Sequence, residues 1–283
     1  MDFSWHAELA LSSHRTESLQ PLPIASEAAP PTPAQADESV ILTGPRVPQE
    51  IVDEVVGHLA TDSSTLESCS LVSKSWISSC RRHLFHTIRF SPLYVRRWLR
   101  TFPEPQESPA HHVRQLRFLI PRGIPEEFSK WVPHFTNVKK VFVRGFGQPL
   151  WLGSPLFARL PRSVTSLEIE GRADLVEVRD VMTQLPYLDD LSLSDNLATV
   201  DRSVLPGIGA VLRSGFHGRL ELHRGCAHED VVNMLLEVPA GLHFTELYVV
   251  AQGECLLLAA RLAEACCETL AKLRYTATLH SRF

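Results

Sequence analysis

Long hydrophobic runs are missing from this sequence: the most apolar stretch, Cys255 to Ala260, is broken at once by Arg261. A bilayer-spanning helix takes about 20 apolar residues, so no membrane partner is expected. Charge of one sign is missing as well. Lys and Arg number 28 against 32 Asp and Glu, a formal net charge of −4, and basic residues gather only in pairs such as Arg81-Arg82, Arg96-Arg97 and Lys139-Lys140. Tracking a phosphate backbone takes a basic stripe, so nucleic acid is not expected either. Cysteine is sparse: Cys69, Cys80, Cys226, Cys255, Cys266 and Cys267 follow no disulfide-framework spacing. Met1-Asp2-Phe3-Ser4-Trp5 lacks the basic start of a secretory signal. Reduced thiols in the cytoplasm and/or nucleus are the simpler expectation.

Catalytic signatures are missing too. The sequence contains no Gly-x-x-x-x-Gly-Lys-Ser/Thr loop, no Gly-x-Ser-x-Gly elbow and no His-Glu-x-x-His pair. Gly145-Phe146-Gly147 lacks the third glycine of a dinucleotide loop and reads as a turn. Cys226 and His228 have no second pair at metal-ligand spacing and read as loop residues. Cys266-Cys267 falls late in an apolar helical pattern, where buried thiols are the default. His111-His112 precedes a strand and reads as exposed, and Asp189-Asp190 point to opposite faces of one. No catalytic, cofactor-binding or metal-ligating residue is assigned, no cofactor is expected, and a non-catalytic role follows.

What is present is a foldable composition, 44% apolar and 21% charged. It begins after a tail. Ser18 to Gly44 is rich in Pro, Ala, Ser and Glu, with Pro21-Leu22-Pro23 and Pro30-Pro31-Thr32-Pro33. Such a segment has too few large hydrophobes to offset ordering entropy. Residues 1–45 therefore read as a flexible leader; a polyproline II docking motif is the alternative.

Residues 46–90 read as three short helices. Pro48 sits at a first helical turn with Gln49 and Glu50, and Ile51, Val55, Val56 and Leu59 follow at helical spacing, which predicts one apolar face. Asp62 or Ser63 can cap a second helix through Ser64 to Cys69. A third, through Leu71 to Ile77, is expected to bring Leu71, Trp76 and Cys80 into one small core. Leu84-Phe85-His86-Thr87-Ile88 forms an apolar exit able to lead into a strand. About 45 residues bury little surface, so an apolar face on such a unit argues for a partner.

The string from Val47 to Leu59 (Val-Pro-Gln-Glu-Ile-Val-Asp-Glu-Val-Val-Gly-His-Leu) resembles the opening of the F-box, Leu-Pro-x-Glu-Ile followed by an apolar pair and Leu. Leu66-Glu67-Ser68-Cys69-Ser70-Leu71-Val72-Ser73-Lys74-Ser75-Trp76 is similar to its middle, Leu-x-x-Cys-x-Leu-Val-(Cys/Ser)-(Lys/Arg)-x-Trp. Arg82-His83-Leu84-Phe85-His86-Thr87-Ile88 matches a form common in F-box proteins of mushroom-forming fungi. Val47 for Leu and Ser73 for Cys are mild departures, and the match covers about a sixth of the chain. The resemblance implies docking on a Skp-type adaptor and, through it, a cullin. Pro48, Ile51, Val55, Leu59, Leu71, Val72, Lys74 and Trp76 would form or support that surface, with Trp76 open between contact and core.

From residue 111 an apolar-x-x-apolar-x-apolar frame occurs seven times, its middle position at Leu116, Val141, Leu167, Leu191, Leu220, Leu247 and Leu273, steps of 24 to 29 residues. The first position of the copies is Val113, Val138, Val164, Leu188, His217, Phe244 and Leu270. The last two apolar positions alternate as in strands, and helical spacing separates the copies at Asp174–Leu185, Val204–Leu212, Glu229–Val238 and Glu254–Cys267. Strand then helix at a fixed period is a solenoid pattern. It resembles degenerate leucine-rich repeats, whose Leu-x-x-Leu-x-Leu-x-x-Asn frame is complete only at Leu188 to Asn196. Pro121, Phe146, Arg172, Gly225, Gln252 and Thr278 stand where the other asparagines would, so no asparagine ladder is expected. A compact α/β domain with a parallel sheet remains the alternative. Between the two inward positions lie Arg117, Phe142, Glu168, Ser192, Glu221, Tyr248 and Arg274, a mixed row that suits a protein target. Tyr94 to Leu99 suggests a linking helix within residues 91–110, packing the helical segment onto the first repeat.

The expected fold class is α+β: an N-terminal three-helix F-box, then an α/β leucine-rich-repeat-like solenoid over 111–283 with a parallel sheet. The expected function is a substrate receptor of a cullin-RING ubiquitin ligase, non-catalytic itself. A repeat-based protein-binding scaffold unconnected to ubiquitination is the alternative.

Overall fold

The computed structural model describes residues 47–119, 124–145, 150, 152–194, 197–198, 216–223, 229–238, 241–251 and 256–277. The leader, the helical pattern at Val204–Leu212 and the Cys226/His228 pair lie outside them. The chain divides between Leu84 and Phe85 into two compact units. Its fold is mixed helix and strand, built on a parallel sheet.

The first unit holds α1 (Gln49–His58), α2 (Ser63–Val72) and α3 (Lys74–Leu84). Pro48 stands at the N-cap of α1, where a missing N–H costs nothing, and its carbonyl accepts from Ile51 and Val52. Asp62 caps α2, accepting from the Thr65 amide at 3.1 Å. Hydrogen bonds from the Thr65 and Ser64 hydroxyls hold the Asp62 carboxyl below the usual aspartate range, the Thr65 hydroxyl contributing most. Val52, Val56, Leu66 and Cys80 make the core, with Leu59, Cys69, Trp76 and Leu84 packed against it. A polar clasp ties α1 to α3: Gln49 Nε2 donates to Asp53 at 2.9 Å and to Ser79 Oγ at 3.0 Å, and the Ser79 hydroxyl donates to Asp53.

Two expectations fail here. Helix α2 continues to Val72, and α3 starts only at Lys74, after the extended Ser73. The expected third helix through Leu71 is therefore two helices, and the break turns Leu71 outward at 64% exposure instead of into the core. The apolar positions of α1 also belong to two faces. Val52 and Val56 are buried, one turn apart, while Ile51 and Val55 occupy the neighbouring outward stripe.

The second unit is an eight-stranded sheet in the order β1-β2-β3-β4-β6-β8-β9-β10, every pairing parallel. Its strands are β1 (Thr87–Phe90), β2 (Gln115–Leu119), β3 (Lys140–Arg144), β4 (Ser166–Glu170), β6 (Asp190–Ser194), β8 (Arg219–Leu222), β9 (Glu246–Ala251) and β10 (Lys272–Ala277). A two-residue pair, β5 (Ala173–Asp174) and β7 (Leu197–Ala198), lies apart. Each strand follows its spatial neighbour in the chain, and the contacts repeat. One carbonyl ahead of a strand accepts two amides from the next: His86 from Arg114 and Gln115, Arg114 from Lys139 and Lys140, Lys139 from Thr165 and Ser166, Thr165 from Asp189 and Asp190, Thr245 from Ala271 and Lys272. Side chains ahead of the strands add rungs, as when Ser163 Oγ donates to the Val138 carbonyl at 2.8 Å and Asn137 Nδ2 to the His111 carbonyl at 2.7 Å.

Period-two alternation decides the faces. Leu116/Phe118, Val141/Val143, Leu167/Ile169, Leu191/Leu193, Leu220/Leu222 and Leu247/Val249 are buried on one side. The connections include α4 (Pro92–Thr101), α5 (Leu175–Thr183), α6 (Glu229–Leu236) and α7 (Leu256–Ala265). Between β2 and β4 the described connections form 3₁₀ turns instead (Glu126–Lys130, Val132–His134, Phe157–Arg159), in stretches where Pro125, Pro133, Pro155 and Pro161 interrupt helical hydrogen bonding.

Strand β1 lies inside the range assigned from sequence to the helical segment. Phe85, Ile88 and Phe90 are buried in the repeat frame, with Ile88 paired to Leu116 and Phe90 to Phe118, so they form an eighth copy. Phe90 meets Trp98 at 5.6 Å, Phe118 at 6.0 Å, Phe128 at 4.5 Å and Phe135 at 5.9 Å between ring centroids. Helix α4 thus packs within the sheet unit, through Val95 and Trp98. Another correction falls at His217, which is exposed; Phe216 takes the inward place and bridges to Leu242. Gly218 allows that shift, since a side chain there would crowd the Asp189 carbonyl at 3.1 Å. In the last copy Leu273 is 52% exposed, although its register mate Leu247 is buried.

Candidate functional site

Each unit presents one surface that its own core does not use. In the helical unit Val47, Ile51, Val55, Leu71 and Val72 are exposed, half of the ten large hydrophobic side chains exposed among all described residues. Pro48 and Lys74 are exposed too. Of the eight residues singled out from sequence, Leu59 and Trp76 behave differently: both are partly buried and pack against Val52, Val56, Leu66 and Cys80. Ile51 and Val55 lie one turn apart on α1, and Leu71 and Val72 close α2. Helical geometry and the break at Ser73 therefore direct these side chains away from the small core.

On the sheet unit the between-positions fall into one row. The register runs Arg89, Arg117, Phe142, Glu168, Ser192, Glu221, Tyr248, Arg274, one residue per strand from β1 to β10. Sequence reasoning missed Arg89 because its copy was absorbed into the helical segment; the Phe85-x-x-Ile88-x-Phe90 frame was the available signal. Adjacent strands lie about 4.8 Å apart, so the eight-residue row extends over roughly 34 Å.

The row carries an uneven field. The Arg117 guanidinium carbon lies 4.7 Å from the centroid of the Phe142 ring, which is itself only 6% exposed, and the Arg117 Nε is buried with no hydrogen-bond partner among the described residues. Two strands on, burial pushes the Glu168 carboxyl above the usual glutamate range; Arg117 pulls it back, Glu221 and Glu170 raise it further, and His223 lowers it. The neighbouring carboxylates are already engaged. Arg144 holds Glu170 at 2.9 Å, Arg219 pairs with Glu221, and Lys272 holds Glu246 at 3.2 Å. His223 Nε2 lies 3.5 Å from Glu221 and its ring meets Tyr248 edge-on at 5.6 Å.

Among the described residues no group of three or more His, Cys, Asp or Glu could hold a metal ion, and no helix is long and apolar enough to cross a membrane. The rings of His111 and His112 meet at a tilt of 45°, 3.9 Å between centroids, His111 exposed and His112 half-buried. Cys80 and Cys266 are buried thiols, pushed up chiefly by that burial, and Cys267, next to Cys266 in sequence, is exposed. The arrangement is suited to contact with another macromolecule through apolar and charged surface. No protein-family model matches the chain, and no curated protein matches it.

Proposed function

We propose that this chain is a two-ended adaptor: its three-helix unit docks as an F-box on a Skp-type subunit of a cullin-RING ubiquitin ligase, and its parallel sheet binds the target protein. The observation that carries the proposal is the exposure of Ile51, Val55, Leu71 and Val72 around a core that, among the described residues, has four fully buried hydrophobic side chains. A unit this small gains little from its own burial, and a further apolar surface left in water is the mark of a docking face. The same positions, with Pro48 and Lys74, are those that carry the F-box resemblance. In the sheet unit, strands in chain order at a period of 24 to 29 residues, with one face buried and a polar row on the other, favour a leucine-rich-repeat-like solenoid over a compact α/β domain. Purified Skp-type adaptor, titrated calorimetrically into the full chain, tests the docking end. Ile51→Asp or Leu71→Asp, each at an already exposed position, is expected to weaken binding at least tenfold with unchanged unfolding midpoints. Full affinity in both variants refutes this surface as the contact.

A further inference from the structure

We infer that the β1–β4 end of the sheet face takes a protein segment presenting a carboxylate side chain and, about 10 Å from it, a cationic one. The carboxylate is received by Arg89 and Arg117 and the cation by Glu168. The spacing is that of two strand separations, from β2 to β4. The inference rests on the reading of this face as the target surface and gives the target its chemistry.

Three observations converge on it. First, two charges of the row, Arg89 and Glu168, are unpaired where those of the flanking rows are matched. Arg144–Glu170 and Lys272–Glu246 neutralise one another in the flanking rows, whereas among the described residues neither Arg89 nor Glu168 has an ion-pair or hydrogen-bond partner. Second, Arg117 is held for recognition rather than left mobile. Its guanidinium lies over the buried Phe142 ring, and its Nε is dehydrated without an acceptor. A buried donor without an acceptor is costly, and a carboxylate on the guanidinium is the partner that relieves it in a charge-assisted, bidentate geometry. Arg89 beside it in register and Lys140 on β3 raise the positive potential at the same end. Third, Glu168 is the carboxylate left over. Glu170 and Glu221, its acidic neighbours, already have arginine partners, while its own surroundings disfavour the bare charge. A cation from the target answers that. A target group carrying only negative charge would meet Glu168, Glu170 and Glu221 within the same field, which disfavours a polyanionic partner.

The full chain, immobilised, is presented with dodecamer peptide sets in a neutral background. One set places a Glu and a Lys at fixed separations; others carry two Glu, two Lys, or random sequence. The Glu–Lys sets whose two side chains share a face and bracket about 10 Å, two or four residues apart when extended and seven when helical, are expected to be enriched about tenfold over the like-charged sets. Glu168→Arg should switch the preference to two Glu, and Arg117→Glu to two Lys. An unfolded variant loses binding and cannot switch it. Enrichment of a like-charged set by the unaltered chain, or variants that keep its preference, overturns the inference. Selection of uncharged sequences that Ser192→Arg or Tyr248→Ala abolishes would also overturn it, while leaving the face as the target surface. If nothing selected depends on any residue of the row, both readings fall.

Discussion

Phe90→Ala tests whether the sheet begins at β1. Phe90 is 1% exposed and touches four other aromatic rings, the nearest centroid, that of Phe128, being 4.5 Å away. Truncating a buried phenylalanine to alanine costs about 3–5 kcal/mol, the lost transfer energy plus the cavity left behind. Edge-to-face partners such as Trp98 and Phe128 place this site toward the upper part of that range. With a urea dependence of roughly 2.5 kcal/mol per molar for a unit of this size, about 4 kcal/mol corresponds to a midpoint lowered by about 1.6 M. Urea titration of the full chain in a Trp5→Phe/Trp76→Phe background, followed by the fluorescence of Trp98, Trp131 and Trp151, isolates the sheet unit. Hydrogen exchange over Thr87–Phe90 and Gln115–Leu119 should accelerate together, because the two strands share one ladder. A midpoint shift below about 0.4 M, equivalent to about 1 kcal/mol, would refute the reasoning. The cooperative sheet would then start at β2, and residues 85–90 would belong with the helices.

Other outcomes follow from single sites. Gly171 has φ 135° and a Cβ there would stand 3.0 Å from the Gly145 carbonyl oxygen, so Gly171→Ala should lower stability by about 1–3 kcal/mol, read from the same urea midpoint. Glu168, whose folded carboxyl is raised above its ordinary 4.5, binds its proton more tightly folded than unfolded. Its favourable contribution is complete below 4.5 and lost as pH rises through the folded value. Glu168→Gln should therefore raise the thermal midpoint at pH 7 and leave it unchanged at pH 3.5; the reverse order would contradict the shift. Iodoacetamide on the native chain should label Cys267 before Cys69, and Cys80 and Cys266 only after unfolding, as peptide mass spectrometry can follow.

Much of this was legible because repeats announce themselves by period. The alternation at Leu116/Phe118 through Leu273/Tyr275 located seven of the eight strands of the sheet and the between-residues of the row, since side chains two apart share a face whatever the tertiary context. Asp62 as a cap and Pro48 at a helix start were equally local decisions. Where local signals competed, the sequence misled. Leu71 carries the same apolar character whether it faces a core or water, and only the break at Ser73 turned it outward. Phe85, Ile88 and Phe90 satisfied the repeat frame, but the helical pattern running up to them drew the boundary past the strand. Phe216 and His217 are adjacent, and which one enters the core depends on Gly218 meeting Asp189 across the sheet.

The sequence by itself determined the alternation of elements, the caps and the identity of the residues that fall in the row. Tertiary structure decided which of those residues keep a partner inside the chain. Arg144 and Glu170, and Lys272 and Glu246, are more than 20 residues apart in sequence, yet parallel register sets them on adjacent strands and cancels their charges. Among the described residues, the same register leaves Arg89 and Glu168 without one. Pairing between charges is a property of distance in space, and a parallel sheet brings together residues a whole repeat apart.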